Sequence, residues 1–220
     1  QTCALPISSR KLDGVRCLTI VDEHGNVSCW SRQGNQFETL SKISQAIKQL
    51  GLTNCVFDGE ICLIDKNGNE DFQGIMRQIR RKDHTIDNPK YLIFDYLTLN
   101  DFNAKKSNTT YSQRLARLLH VIENENGNSC LSVVTQTKVN DEAHLTSLMQ
   151  NADANGWEGL ILRNDVGYEG KRSKNMLKCK SFKDAEYEVV DVEFGPFRMI
   201  ENGVEITKEV LSNVVKFGPS

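Results

Sequence analysis

The sequence predicts an α+β fold built on antiparallel sheets with flanking helices. Strand-like runs outnumber helical ones, no regular strand-helix-strand alternation appears, and turns rich in glycine and asparagine separate several of the strand-like runs. Cys17 to Val21 and Val27 to Ser31 are β-prone and flank Asp22-Glu23-His24-Gly25-Asn26, which has the composition of a hairpin turn. Leu40, Ile43, Ile47 and Leu50 recur at helical spacing and stop at Gly51, so a helix links this hairpin to a strand over Cys55 to Ile64. Side chains alternate along a strand, which places Asp58 and Glu60 on one face. A turn at Lys66-Asn67-Gly68-Asn69, an amphipathic basic stretch and a strand over Tyr91 to Leu97 follow. Ser112 is the expected N-cap of a helix carrying Leu115, Leu118, Leu119 and Ile122, ended by the polar run Glu123 to Ser129. Asp141 caps another, with Leu145, Leu148, Met149 and Ala152 on one face before Gly156. Leu160 to Arg163, Met176 to Phe182 and Tyr187 to Phe194 are the last strand-like runs of this region.

At 220 residues and 39% hydrophobic, the chain can bury a full core. Its net charge of −2 conceals six Lys or Arg and no acid between Lys171 and Lys183, and four more basic residues from Arg77 to Lys82. Such segments suit phosphate contacts on one face; taken alone they read equally as solvated loops. The seven cysteines are odd in number, form no C-x-x-C pair and mostly sit in apolar runs. They are expected to be reduced, packed thiols of an intracellular, reducing compartment. No run approaches the roughly 18 apolar residues of a membrane helix, and no charged segment followed by an apolar one opens the chain. A soluble protein with no membrane partner is the expectation.

The stretch richest in chemistry is Lys11-Leu12-Asp13-Gly14-Val15-Arg16. In order after it come Ser31-Arg32-Gln33-Gly34, Phe57-Asp58-Gly59-Glu60, Tyr91-Leu92-Ile93-Phe94-Asp95, Glu158-Gly159-Leu160-Ile161 and Leu177-Lys178-Cys179-Lys180. Lys11 is the candidate nucleophile. A lysine attacks only when unprotonated, so burial or neighbouring cations must act against its ordinary pKa of about 10.4. Lys178 and Lys180, two apart on a strand, point the same way and supply such a field while gripping a phosphate. Asp58, Glu60 and Glu158 offer the hard oxygens that Mg²⁺ needs beside a transferred phosphate. Taken singly, Lys11 and Asp13 are ordinary turn residues, Arg16 is a partner for an acid, and Phe94 is core packing.

Together the six motifs resemble the lysine nucleotidyltransferase superfamily, most closely its ATP-dependent DNA ligases. The resemblance implies an ATP-grasp-like nucleotidyltransferase domain over residues 1–185, then the beginning of an OB-fold β-barrel over residues 186–220, where basic composition turns acidic. It makes Lys11, Lys178 and Lys180 catalytic, with Lys178 and Lys180 also holding the nucleotide alongside Arg16, Glu60 at the ribose and Phe94 against the adenine. Glu158, with Asp58, would hold Mg²⁺. Arg32 would reach the 5′-phosphate of a nick, and Lys171, Arg172 and Lys174 the duplex. ATP and Mg²⁺ are the implied cofactors, nicked duplex DNA the implied partner, and a monomer the implied state.

The sequence also departs from the family. Ligases often carry a glutamate two residues before the nucleophile, where this chain has Ser9, which leaves ATP over GTP open. The basic cluster that closes the family's OB domain has no counterpart before Ser220, and the start is short, so the chain is expected to be truncated. An RNA ligase or a GTP-using mRNA capping enzyme is the nearest alternative. The Ser-Arg-x-Gly context of Arg32 and the run Gly167 to Ser173 favour a DNA ligase over capping. A non-catalytic nucleic-acid-binding module of the same fold is the alternative of another class, and it has no need of Lys11 or Glu158.

Overall fold

In the computed structural model, which describes residues 5–122, 130–180, 189–201 and 204–215, the chain opens with a short strand, β1 (Ile7–Arg10), ahead of the first motif. The expected hairpin follows as β2 (Val15–Val21) and β3 (Val27–Ser31), and Asp22 fixes its turn by accepting from the backbone of His24 and Asn26, each at 2.8 Å. Helix α1 (Ser41–Gln49) buries Ile43 and Ile47, and Gly51 beyond it takes φ 67°. Strand β4 (Cys55–Cys62) stops two residues short of the expected end; Ile64 makes only an isolated bridge to Glu70 across the Asp65 turn. Next come α2 (Phe72–Gln78), β5 (Lys90–Thr98), α3 (Leu99–Asn103) and α4 (Tyr111–Ile122). The first unit closes with β6 (Leu131–Val133), β7 (Gln136–Lys138), α5 (Glu142–Ala154), β8 (Gly159–Arg163) and β9 (Met176–Lys180).

The α+β expectation is met: every strand pairing described is antiparallel except that of β5 with β6. One sheet has the order β3-β2-β4-β5-β6 and the other β7-β1-β8-β9. Asp141 caps α5 as expected, accepting from His144 N–H at 2.7 Å. Ser112 is not the cap of α4. Thr110 accepts from Gln113 N–H at 3.4 Å while the Gln113 carboxamide accepts from Thr110 N–H at 3.1 Å, a reciprocal capping box. Ser112 lies inside the first turn, where its hydroxyl and N–H both reach Asp165, at 2.6 and 2.7 Å. The expected helix stop at Glu123 to Ser129 and the strand ends at Phe182 and Tyr187 fall outside the described residues.

The core lies on one face of the five-stranded sheet, where Cys17, Phe57, Ile61, Tyr91 and Ile93 meet Ile43 and Ile47 of α1, Ile75 of α2, and Leu118 and Ile122 of α4. Tyr91, fully buried, satisfies its hydroxyl by donating to the carbonyls of Cys17 and Phe57, both at 3.0 Å. The other face of β2 and β4 carries Arg16 opposite Glu60 and Leu18 opposite Asp58. Polar chemistry is thereby sorted away from the core by strand alternation alone. A second compact unit, Phe182–Ser220, contains the antiparallel pair β10 (Val189–Glu201) and β11 (Val204–Val215), with a bulge between Val189 and Asp191.

Gly159 is the tightest point of the four-stranded sheet. It has φ 145°, and a Cβ there would lie 2.0 Å from the Cys179 carbonyl oxygen. Gly159→Ala is therefore expected to part β8 from β9 and lower stability by about 3 kcal/mol, roughly 6–12 °C in Tm. A thermal melt indistinguishable from the wild type would show that the approach is not as close as described.

Candidate active site

Lys11 follows β1 directly, and its backbone N–H donates to the Gly159 carbonyl at 2.9 Å, extending the pairing of β1 with β8 by one step. That pairing brings the Lys11 ammonium against the Glu158 carboxylate, 147 residues away in sequence. The second carboxylate oxygen of Glu158 takes Lys180 at 2.7 Å. Burial works against the charge on Glu158, but hydrogen bonds from Lys11 and Lys180 outweigh it and hold the carboxyl below its usual range. Lys178 stands opposite Ile161, and Ile161 opposite Ser9, so Lys178 and Lys180 present one face of β9 with Lys11 on the same side of the sheet.

The second sheet contributes the opposing wall. Asp58 receives a two-pronged contact from Arg16, whose Nε and Nη2 reach one carboxylate oxygen each. Asp58 is 5% exposed while the Arg16 side chain remains partly open, and burial of Arg16 is more than offset by the charge and hydrogen bond of Asp58 together with the nearby Glu60 and Tyr91. Glu60 has no such fork. Burial lifts its pKa to about 7, with Arg16 and Lys11 only partly opposing the shift.

Phe94 occupies a bulge: Asp58 pairs with Asp95 and Gly59 with Ile93, leaving Phe94 without a partner on β4. The extra residue lets Phe94 and Asp95 face the site together, although they are consecutive. The guanidinium of Arg16 lies over the Phe94 ring at 4.6 Å and that of Arg163 at 4.9 Å, so cations, not an open surface, cover the ring here. Asp95 accepts from Arg114 Nε at 2.7 Å and Nη2 at 3.0 Å, with Arg163 at 3.8 Å. Arg114 also donates to the carbonyls of Thr109 at 2.6 Å and Val166 at 3.3 Å, which ties α4 to the loop after β8.

A groove of about 710 Å³ runs along these residues, lined in part by Arg16, Arg32, Asp58, Lys171, Arg172 and Lys178. Arg32, Lys171 and Arg172 thus share one groove with Arg16 and Lys178, whereas Lys11, Glu60, Phe94, Glu158 and Lys180 are not among its lining, and neither is Lys174, which is exposed. Asp95, Arg114 and Arg163 are site-wall residues that sequence reasoning did not single out. Asp95 closes the motif that begins at Tyr91 but had no role assigned to it, and Arg114 carried a weaker signal, an arginine one position from Leu115 on an otherwise leucine-rich helix face.

Among the described residues no three His, Cys, Asp or Glu side chains gather into a metal cluster. Mg²⁺ usually takes one or two carboxylates and completes its shell with phosphate and water. Neither candidate has a free oxygen in this structure: Arg16 takes both oxygens of Asp58, and Lys11 and Lys180 take one each of Glu158. Glu158, the more exposed of the two and held by two separate ammonium groups, is the better placed to exchange a partner for a metal ion. No helix among the described residues is long and apolar enough to cross a membrane, and the six described cysteines are free.

Residues 4–180 match the family described as ATP dependent DNA ligase domain. A DNA ligase of African swine fever virus is 26% identical over 200 residues, covering 86% of this chain and 45% of its own length. The multifunctional non-homologous end joining protein LigD of Pseudomonas aeruginosa is 27% identical over 182 residues, covering 82% of this chain and 20% of that protein. Among solved structures, Pmar-Lig aligns with TM-score 0.75 at 25% identity over 95% of this chain and 52% of its own. The ATP complex of the bacteriophage T7 DNA ligase aligns with TM-score 0.64 at 17% identity, a likeness of fold, over 96% of this chain and 74% of its own. This chain spans less than half the length of the viral relative.

The buried state of Glu60 has a consequence for stability. Folded, its carboxyl keeps a proton up to about pH 7; unfolded, only to about 4.5. Between those values the folded state binds more protons, so stability falls as pH rises through the window. Glu60→Gln removes the penalty, and its Tm is expected to exceed the wild type by about 2–5 °C at pH 8, with the gain gone by pH 4.5. Melts across that range check this; a pH-independent difference would place the titration elsewhere.

Proposed function

Since this chain belongs to the ATP-dependent DNA ligase domain family, we propose that Lys11 takes AMP from ATP and that the AMP is passed on to seal nicks in duplex DNA. The observation that carries the reading is the cluster of Lys11, Glu158 and Lys180, which couples a candidate nucleophile to a base and a second cation. Lys11 Nζ gives up its proton, for which the Glu158 carboxylate is the acceptor in contact, and its lone pair attacks the α-phosphorus. A nitrogen–phosphorus bond forms as the bond to the bridging oxygen breaks, and pyrophosphate leaves. Lys178 and Lys180 offset charge on the α-phosphate, and Arg16 and Glu60 orient the sugar end. For Phe94 to stack on adenine, Arg16 or Arg163 must leave its ring.

Mg²⁺ bound through Glu158 and phosphate oxygens would supply further charge neutralisation. AMP then moves from Lys11 to the 5′-phosphate of a nick, and the 3′-hydroxyl displaces it as the phosphodiester forms. Arg32 is suited to that 5′-phosphate by its fork of donors, and Lys171, Arg172 and Lys174 to the backbone beside it. We assign the second unit to the opening strands of an OB fold, on its long antiparallel pair. One copy of the chain carries the whole constellation, which supports action as a monomer.

Incubation with α-labelled ATP and Mg²⁺ is expected to leave a covalent label on the wild type and none on Lys11→Ala or Lys11→Arg, since alanine has no side-chain amine and guanidinium does not deprotonate. Labelling of either variant at the wild-type level would remove Lys11 from the reaction. Glu158→Gln is expected to fold normally but label about 100-fold more slowly, only partly rescued by added Mg²⁺, because an amide is a poorer base and a poorer hard-ion ligand. A wild-type rate with unchanged Mg²⁺ dependence would make Glu158 a surface acid.

A further inference from the structure

Beyond the main groove, a second one of about 530 Å³ is formed where the turn after α3 meets the loop after β8. The two grooves share Val166, Gly167, Tyr168, Glu169, Lys171 and Asn175 as a common wall, so they adjoin along this segment. Backbone contacts lock the two loops together: Ser107 N–H donates to the Tyr168 carbonyl at 3.1 Å and Gly170 N–H to the Lys105 carbonyl at 2.9 Å. A Cβ at Gly167 would lie 2.0 Å from the Ser107 carbonyl oxygen, so the clasp closes only over glycine.

Lys105 and Lys106 stand exposed at this clasp, and neither has an ion-pair partner among the described residues. Lys105 adopts φ 55° just past the end of α3. Glycine or asparagine suits that conformation, and among the described residues the other non-glycine positions holding it are Asn54 and Asp83. The chain thus keeps a long cationic side chain where a smaller residue would be less strained. The acid on the wall, Glu169, accepts from the neutral groups of Ser173 and Asn175 and stays ionised. Against its one negative charge stand Lys105, Lys106 and Lys171, so the second groove carries a net positive charge.

We propose that the clasp, through Lys105 and Lys106, is a second phosphate-contacting element that grips the duplex backbone at a distance from the nick. This rests on the reading of the main groove as a DNA path. A polyanion leaving the groove beside Arg172 and Lys171 meets these two lysines next, because the wall is shared. Their contribution is sequence-independent affinity and a steeper response to salt.

The test is the affinity of a fluorescent nicked duplex measured by anisotropy between about 50 and 200 mM salt. The double variant Lys105→Gly/Lys106→Ala is expected to lower the slope of log affinity against log salt by about 1–2 and to weaken binding at least several-fold at low salt. The same double variant is expected to melt no lower than the wild type, because glycine accepts φ 55° without strain and Lys106 is exposed, and that melt excludes misfolding as the cause. Lys105→Arg with Lys106→Arg is expected to retain the wild-type slope. A double variant with unchanged slope and affinity, beside a wild type that does depend on salt, overturns the clasp alone, as does an arginine pair that folds but behaves like the neutral variant. A wild type that fails to bind the nicked duplex overturns the clasp together with the DNA reading on which it rests.

Discussion

The pairing of β1 with β8 is the constraint on which the site depends. It sets Ser9 opposite Ile161 and Arg10 opposite Leu160, and the next step delivers Lys11 to the Gly159 carbonyl beside Glu158. A slip of one residue would turn the lysine to the other face of the sheet, away from the carboxylate and from Lys178. Gly159 makes the approach possible from the β9 side and places Glu158 at the mouth of the strand. Two ammonium groups from distant parts of the chain are thereby held on one carboxylate, whose oxygens are shared between them.

The opposing wall is organised by guanidinium–carboxylate pairs whose carboxylates are buried. Arg16 with Asp58 and Arg114 with Asp95 each meet in a fork, and the carboxylates are 5% and 3% exposed. Pairs of this kind seldom add much net stability, because desolvation consumes most of the attraction, but losing one partner strands a buried charge. Their effect here is geometric: Arg114 joins β5, α4 and the loop after β8, and so fixes the groove wall. Glu60 is the carboxylate of this wall left without a fork, and it is the one whose proton affinity rises to about 7. Arg10 works the same way behind Lys11, pairing with Glu70 and lying 4.8 Å over the Trp157 ring.

Local rules made much of the fold legible in the sequence. The β2–β3 hairpin announced itself by an Asp-x-x-Gly-Asn turn between alternating runs, α1 by leucine and isoleucine at helical spacing, and α5 by the Asp141 cap. The motif residues could be placed on strands or turns, and the structure brings Lys11, Glu158 and Lys180 together as their spacing alone could not. Other features depend on tertiary context. Thr110 displaced Ser112 as the cap of α4 because Gln113 completes a capping box and Ser112 is taken by Asp165, more than 50 residues on. The bulge at Phe94 leaves no trace in a period-two pattern, and it is what turns Asp95 inward. The fork of Arg16 on Asp58, which occupies both oxygens of that metal-ligand candidate, joins strands that only the folded register aligns.

Site-resolved mass spectrometry of the protein after incubation with ATP and Mg²⁺ tests the central claim most directly, because it reports which nitrogen has reacted. The β1–β8 register and the Glu158 contact require a single adenylyl group on the peptide that contains Lys11, absent when ATP is omitted. An adduct on Lys178 or Lys180 instead, or an unmodified chain at full ATP exposure, would contradict the account.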